Sequence, residues 1–215
     1  MRRAPRYLVA TLVVLAAGRA RAQDAEFGDL GHVAISAERL FGYVHTSETT
    51  TVAGVDTSRS NDSFSLFSNP FGGIATGYGW PRLAVDVFAA RGLSVGAAAG
   101  FFHVSTNNTS LNGFLLAPRI GYATNLGGRA FFWPRGGMTY AHASSSAGSG
   151  ALTSTGSVFA LTLEAPLAIV ATPHVAFLVG PTFDLGLSGS TTTGGAKVDS
   201  KTTDFGVQAG LLAYF

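Results

Sequence analysis

From about residue 32 onward, apolar and polar positions alternate with period two, segment after segment. The final stretch shows it cleanly. Phe205, Val207, Ala209, Leu211, Ala213 and Phe215 share one face, and Asp204, Gly206, Gln208, Gly210, Leu212 and Tyr214 share the other. Such alternation marks a strand whose two faces meet different surroundings. The same pattern predicts seven earlier strands, near residues 32–45, 80–89, 93–105, 112–124, 129–144, 157–170 and 174–188. In them, Leu83, Val85 and Val87 oppose Arg82 and Asp86. Phe114, Leu116, Ile120 and Tyr122 oppose Arg119, and Leu161 and Leu163 oppose Thr162 and Glu164. Short turns at Arg91-Gly92, Asn125–Gly128 and Ala171–Pro173 alternate with Ser-, Thr- and Gly-rich stretches at 46–79, 106–111, 145–156 and 189–201, which read as loops. An even number of strands with short and long connections in turn predicts an all-β, eight-stranded antiparallel up-and-down transmembrane β-barrel with both termini on the short-turn side. Ser63–Ser68 could make a ninth strand, but an odd count would separate the termini, so it is assigned to an extension of the first hairpin. Pro118, Pro134, Pro166 and Pro181 fall inside predicted strands, where the missing N–H breaks a ladder.

Composition turns the alternation into a membrane argument. The 215 residues are 47% hydrophobic and only 12% charged, about half the charge of an ordinary soluble domain. Past the N-terminal segment, no apolar run reaches the ~20 residues that a spanning helix needs. A closed barrel is then the remaining way to pair every backbone group in lipid. The N-terminus reads as a signal peptide over residues 1–22: Arg2, Arg3 and Arg6, then the apolar run Tyr7–Ala17, then Ala20-Arg21-Ala22. Cleavage is expected after Ala22. Residues 23–31 follow as an acidic leader hanging in the periplasm, and residues 32–215 form the barrel. Of the 14 Lys and Arg, five lie in the signal segment, which has no acid. The remaining nine face 12 Asp and Glu, a formal net of −3, which argues against a nucleic-acid partner. Cysteine is absent, so disulfides, thiolate metal sites and lipid attachment to an N-terminal Cys are excluded.

On these residues the mature chain resembles small eight-stranded outer-membrane barrels of the OmpA and OmpX type. It also resembles exported barrel proteins that carry a segment like Pro81-Arg82-Leu83-Ala84-Val85-Asp86. The resemblance implies an outer-membrane location, outer-membrane lipid as surroundings, a monomer and no cofactor. The alternating end, Val207, Ala209, Leu211, Ala213, Tyr214 and Phe215, looks like the terminal signal that the barrel-assembly machinery reads. Such folds host several activities, so fold does not settle function.

Candidate chemistry is sparse. Gly92-Leu93-Ser94-Val95-Gly96 matches a nucleophile-elbow pattern but lacks the helix that the elbow requires. His103-x-Ser105 and His142-x-Ser144 each place an imidazole and a hydroxyl on one strand face near the long-loop rim. They are similar to the His-x-Ser of outer-membrane lipid A deacylases. The Asn that follows the serine there is replaced by Thr106 and Ser145, and no orienting acid is evident. The five histidines have no ligand-like spacing. The main expectation is a non-enzymatic barrel with a structural or surface-interaction role. The alternatives are the esterase and a secreted, lipocalin-like small-ligand binder.

The inward face carries the sharper expectation. Alternation aims Glu38, Arg82, Asp86, Arg119, Arg135, Glu164 and Asp184 at a lumen that eight strands make only wide enough for side chains. A lumen charge network of Arg–carboxylate pairs that plugs the barrel follows. Strict alternation would aim Arg39 into lipid, so a bulge is predicted near Glu38-Arg39.

Overall fold

The computed structural model describes residues 26–52, 54–66, 79–106, 109–147 and 153–215. The signal segment and its cleavage site lie outside them. Twelve strand segments form one antiparallel sheet: β1 (Val33–Val52), β2 (Val55–Leu66), β3 (Arg82–Phe88), β4 (Leu93–Thr106), β5 (Thr109–Tyr122), β6 (Thr124–Gly127), β7 (Ala130–Phe132), β8 (Arg135–Ala147), β9 (Thr153–Glu164), β10 (Leu167–Thr172), β11 (Val175–Thr193) and β12 (Ala196–Tyr214). β2 and β3 are two parts of one barrel strand, both paired with β1. Likewise β5 runs into β6, β7 into β8, and β9 into β10. The result is eight strands. β12 pairs with β11 on one side and β1 on the other, which closes the barrel.

Two of the breaks fall at prolines. Pro134 separates β7 from β8, and Pro166 separates β9 from β10. Pro118 stays within β5, but the β5–β8 register passes from Leu116↔Tyr140 to Arg119↔Gly137 with no pairing between, as expected where an N–H is missing.

The predicted bulge is present. Ala37 pairs with Leu211 and Phe41 with Ala209, so four steps along β1 match two along β12. Arg39 lies inside it with φ of 56°, left-handed backbone that non-glycine residues seldom adopt. The extra residues turn Glu38 and Arg39 both inward, where each is buried.

Outside, an apolar belt encircles the barrel. On β4 it runs from Leu93 to Phe101, on β5 from Phe114 to Tyr122, on β11 from Val175 to Leu185, and on β12 from Phe205 to Phe215. Those lengths match the roughly 9–11 residues of a membrane-crossing strand.

Two expectations need correction. The stretches at 46–79 and 189–201 are not simply loops. β1 and β2 continue as a hairpin paired from Phe41↔Leu66 to Val52↔Val55. β11 and β12 pair up to Thr193↔Ala196, turning at Gly194-Gly195, both at positive φ. Above the belt both strand faces meet water, so the period-two signal fades and a Thr-rich strand has the composition of a loop. The extra strand near Ser63 is therefore the hairpin extension. Second, the leader does not hang free over residues 26–31. Gly31 N–H donates to Phe88 O, Gly92 N–H donates to Gly28 O, and Asn125 donates to Glu26. Phe27, 3% exposed, enters the short-turn mouth.

Candidate functional site

Inside the belt the inward faces of β1, β3, β5, β8, β9 and β11 converge on one ionic layer. Each of Glu38, Arg82, Asp86, Arg119, Arg135, Glu164 and Asp184 lies within it, none more than 6% exposed. Arg119 grips two carboxylates. Its Nη1 and Nη2 donate to Glu38 at 2.6 and 2.8 Å, and its Nε and Nη2 donate to Asp86 at 3.1 and 2.5 Å. Arg135 bridges Glu38 at 2.6 Å and Glu164 at 2.8 Å. Arg82 also bridges Glu38 and Glu164. These are charge-assisted bonds, with the forked geometry that guanidinium offers to carboxylates.

Arg39 was missing from the sequence-derived set. It donates to Asp184 at 2.7 and 3.3 Å and to Glu164 at 3.0 Å. With it, four arginines face four carboxylates. The signal was the bulge itself, since an extra residue after an inward Glu38 carries the next side chain inward too. Hydroxyls complete the layer: Ser36 donates to Glu38 at 2.7 Å, and Thr162 donates to Asp184 at 2.6 Å.

A fifth inward acid, Asp204, was also not singled out. It is 3% exposed, pairs across the ladder with Asp184 and Thr46, and its Oδ1 has no hydrogen-bond partner among the described residues.

Small residues make the room. A Cβ at Gly96 would lie 2.4 Å from Asp86 Oδ1, and one at Gly121 would lie 2.7 Å from Arg135 Cγ. Beside the layer are cavities of only about 20 and 10 Å³, the larger lined by Glu38, Arg39, Arg135, Glu164 and Gln208 among others. Each is about the size of one water.

Aromatic and apolar side chains bound the layer on both sides. Toward the short turns, Phe27 meets Phe88, Phe131, Trp133 and Tyr214 edge-on, with ring centroids 5.2–5.3 Å apart. Trp133 ties this cluster to the ionic layer: its Nε1 donates to Ser94 at 3.0 Å, and the Arg135 guanidinium lies 4.5 Å over its ring. Toward the long hairpins, Trp80 packs edge-on against Phe102 at 4.4 Å, above Leu115 and Val158.

The other expected residues lie elsewhere. On β12, Val207, Ala209, Leu211, Ala213 and Phe215 face outward, while Tyr214 faces in against Phe27. The two His-x-Ser pairs point outward near the long-hairpin rim and, among the described residues, are not brought together with an acid. His103 Nδ1 is 2.5 Å from Asn112 Oδ1, and His142 lies beside the Phe114 ring. Among the described residues, the imidazole–carboxylate contact is a different one, His45 Nδ1 to Asp62 at 2.7 Å.

No family model matches the sequence, and no curated protein matches it. Solved structures do match. Outer membrane protein AlkL, determined in lipid bilayers, aligns over 92% of this chain and 95% of its own, with a TM-score of 0.54 and 10% identity. The outer membrane protein OprG from Pseudomonas aeruginosa covers 89% of this chain and 98% of its own, with a TM-score of 0.49 and 11% identity. The N-terminal β-barrel domain of Pseudomonas aeruginosa OprF covers 86% and 98%, also at 0.49 and 11%. At 10% identity the AlkL match shows the fold alone, and that fold is the β-barrel of an outer-membrane protein, here closed from eight antiparallel strands.

Proposed function

We propose that this chain is an integral outer-membrane barrel with a filled lumen and no enzymatic activity, which holds polar β-hairpins above the membrane as a structural or interaction surface. One observation carries the reading: the barrel is inverted relative to a soluble one, apolar outside and ionised inside. Burying four arginines and five carboxylates is costly in any setting. It is sustained here because the four arginines are matched by Glu38, Asp86, Glu164 and Asp184, while the outward Leu, Val, Ile and Phe side chains are left for lipid. The inversion also weighs against a lipocalin-like carrier, which needs an apolar cavity inside and a wet exterior. An esterase needs an acid to orient its histidine, and among the described residues none lies in contact with His103 or His142.

In this reading both termini and the short turns face the periplasm, the β1–β2 and β11–β12 hairpins face outward, and the β12 face ending at Phe215 is offered to the barrel-assembly machinery. The hairpins carry Arg59, Lys197 and Lys201, all exposed. The test is protease treatment of intact cells. Trypsin should cut at Arg59, Lys197 or Lys201 and should spare Arg91 and Arg129 until the outer membrane is permeabilised. Cleavage first at Arg91 would invert the orientation, and recovery in the soluble fraction would remove the membrane assignment.

A further inference from the structure

The inward face of β12 carries oxygens that the ionic layer leaves unused. Thr202 and Asp204 are successive inward residues, 2% and 3% exposed. Thr202 Oγ1 and Asp204 Oδ1 are both buried without a hydrogen-bond partner among the described residues, and Gln208 Oε1 on the same face is a third such oxygen. Buried polar atoms are nearly always partnered, so each exception calls for a physical reason. Here they share one face of one strand, and β1 and β11, which flank that strand, are both described.

The surroundings supply oxygens and little positive charge. Thr46 and Asp184 stand directly opposite Asp204, and Glu48 stands opposite Thr202. The Arg39 Nη groups are taken by Asp184 and Glu164, and Glu48 has Arg59 across from it on β2. Gly186 lies beside Thr202, where an added Cβ would collide with the Thr202 carbonyl. Gly186 pairs in turn with Ala160, and neither residue carries a side-chain donor. With Glu38, Asp86, Glu164 and Asp184 matched to the four arginines, Asp204 is the one inward carboxylate of the layer left over. Burying an unmatched charge is costly. A carboxylate and hydroxyls, with no thiol or imidazole among them, are the ligands of a hard cation.

We propose that Asp204 and Thr202 bind one hard monovalent cation of the sodium class against the lumen wall. Asp204 Oδ1 is the charged ligand and Thr202 Oγ1 a neutral one. The charge of the ligand follows from neutrality: four arginines and one such cation balance five carboxylates. The bound cation also screens Asp204 from Asp184. The site adds an ion-binding property to the barrel and does not depend on what its hairpins contact.

The test uses the full mature chain in zwitterionic detergent micelles at about pH 8, well above the ordinary carboxylate range. The thermal unfolding midpoint is measured in choline chloride and with sodium chloride replacing it at constant ionic strength. Sodium should raise the midpoint, and the rise should grow with the logarithm of its concentration once the site is filled, as for a ligand that binds only the folded state. Asp204→Asn should abolish the sodium increment, and in choline alone it should unfold at the same or a higher midpoint than the unsubstituted chain. Thr202→Val should shift the sodium dependence to several-fold higher concentration. Asp62→Asn, which removes an exposed hairpin acid, should leave the increment intact. Sodium NMR gives a reading that needs no variant to fold: the folded chain should broaden the sodium line, and unfolding in urea should abolish the broadening. No increment in the unsubstituted chain, an increment that survives Asp204→Asn, a larger one from calcium than from sodium, or a sodium line that the folded chain leaves sharp would each overturn the proposal.

Discussion

At the scale of single residues, the interior is set by matched and unmatched charge. Glu164 contacts Arg39, Arg82 and Arg135 within 3.0 Å or less. Glu164→Ala would leave several guanidiniums short of an anion, and stranding a buried partner costs about 3–5 kcal/mol. Asp204 is the opposite case, a fifth carboxylate placed opposite Asp184. Like charges facing across a ladder destabilise it, so Asp204→Asn should be neutral or raise stability by about 1 kcal/mol. Urea unfolding of both variants in detergent micelles checks the contrast, and equal losses would refute it.

A separate residue effect lies at the turn-side end, outside the belt. Burial, with a smaller contribution from nearby His174, pulls His32 below the usual imidazole value, while Asp29 opposes the shift. The folded barrel thus disfavours protonated His32 relative to the unfolded chain. Stability from this group is present above about pH 6.5 and is lost as the pH falls through that value toward the folded one. His32→Gln should flatten that part of the pH dependence of unfolding. An unchanged slope would remove His32 as its source.

At the scale of elements, legibility divides at the edge of the belt. β3, β5, β9 and the belt part of β12 were readable because one face meets apolar surroundings and the other a packed interior, which makes period two visible. The upper halves of β1, β2, β11 and β12 were not, because Ser and Thr suit both wet faces of a strand as well as a loop. The Arg39 bulge was legible for a different reason: a charge on a lipid face would cost roughly 2–4 kcal/mol near mid-membrane, so the strand has to break step. The leader was illegible, because nothing in Glu26-Phe27-Gly28 gives a period. Its Phe27 side chain only acquires meaning from Phe88, Phe131, Trp133 and Tyr214, which three separate strands and the strand break beside Pro134 bring together. Phe27→Ala should therefore cost about 3 kcal/mol, the lower end for a buried Phe. It should also expose residues 26–31 to protease in micelles. Full resistance with unchanged stability would show that the leader does not staple the mouth.

At the scale of the whole molecule, the structure places Glu38, Arg82, Asp86, Arg119, Arg135, Glu164 and Asp184 inside the barrel together with Arg39, Asp204 and the Phe27 cluster. Three stacked zones result: aromatic rings toward the short turns, an ionic layer in the middle, and Trp80 with Phe102 toward the hairpins. An eight-stranded barrel has room for side chains and little else, and the cavities of about 20 and 10 Å³ beside the ionic layer are each about the size of one water, which is the observation behind the proposed filled lumen. Fixed ion pairs need not stabilise the barrel more than an apolar filling would, but they hold the long arginine side chains across the bore. The most direct test is electrical. The purified mature chain in a planar lipid bilayer should show no steady single-channel conductance, and Phe27→Ala, which opens only one end, should stay silent as well. A stable, reproducible open level from the unsubstituted chain would contradict the filled lumen.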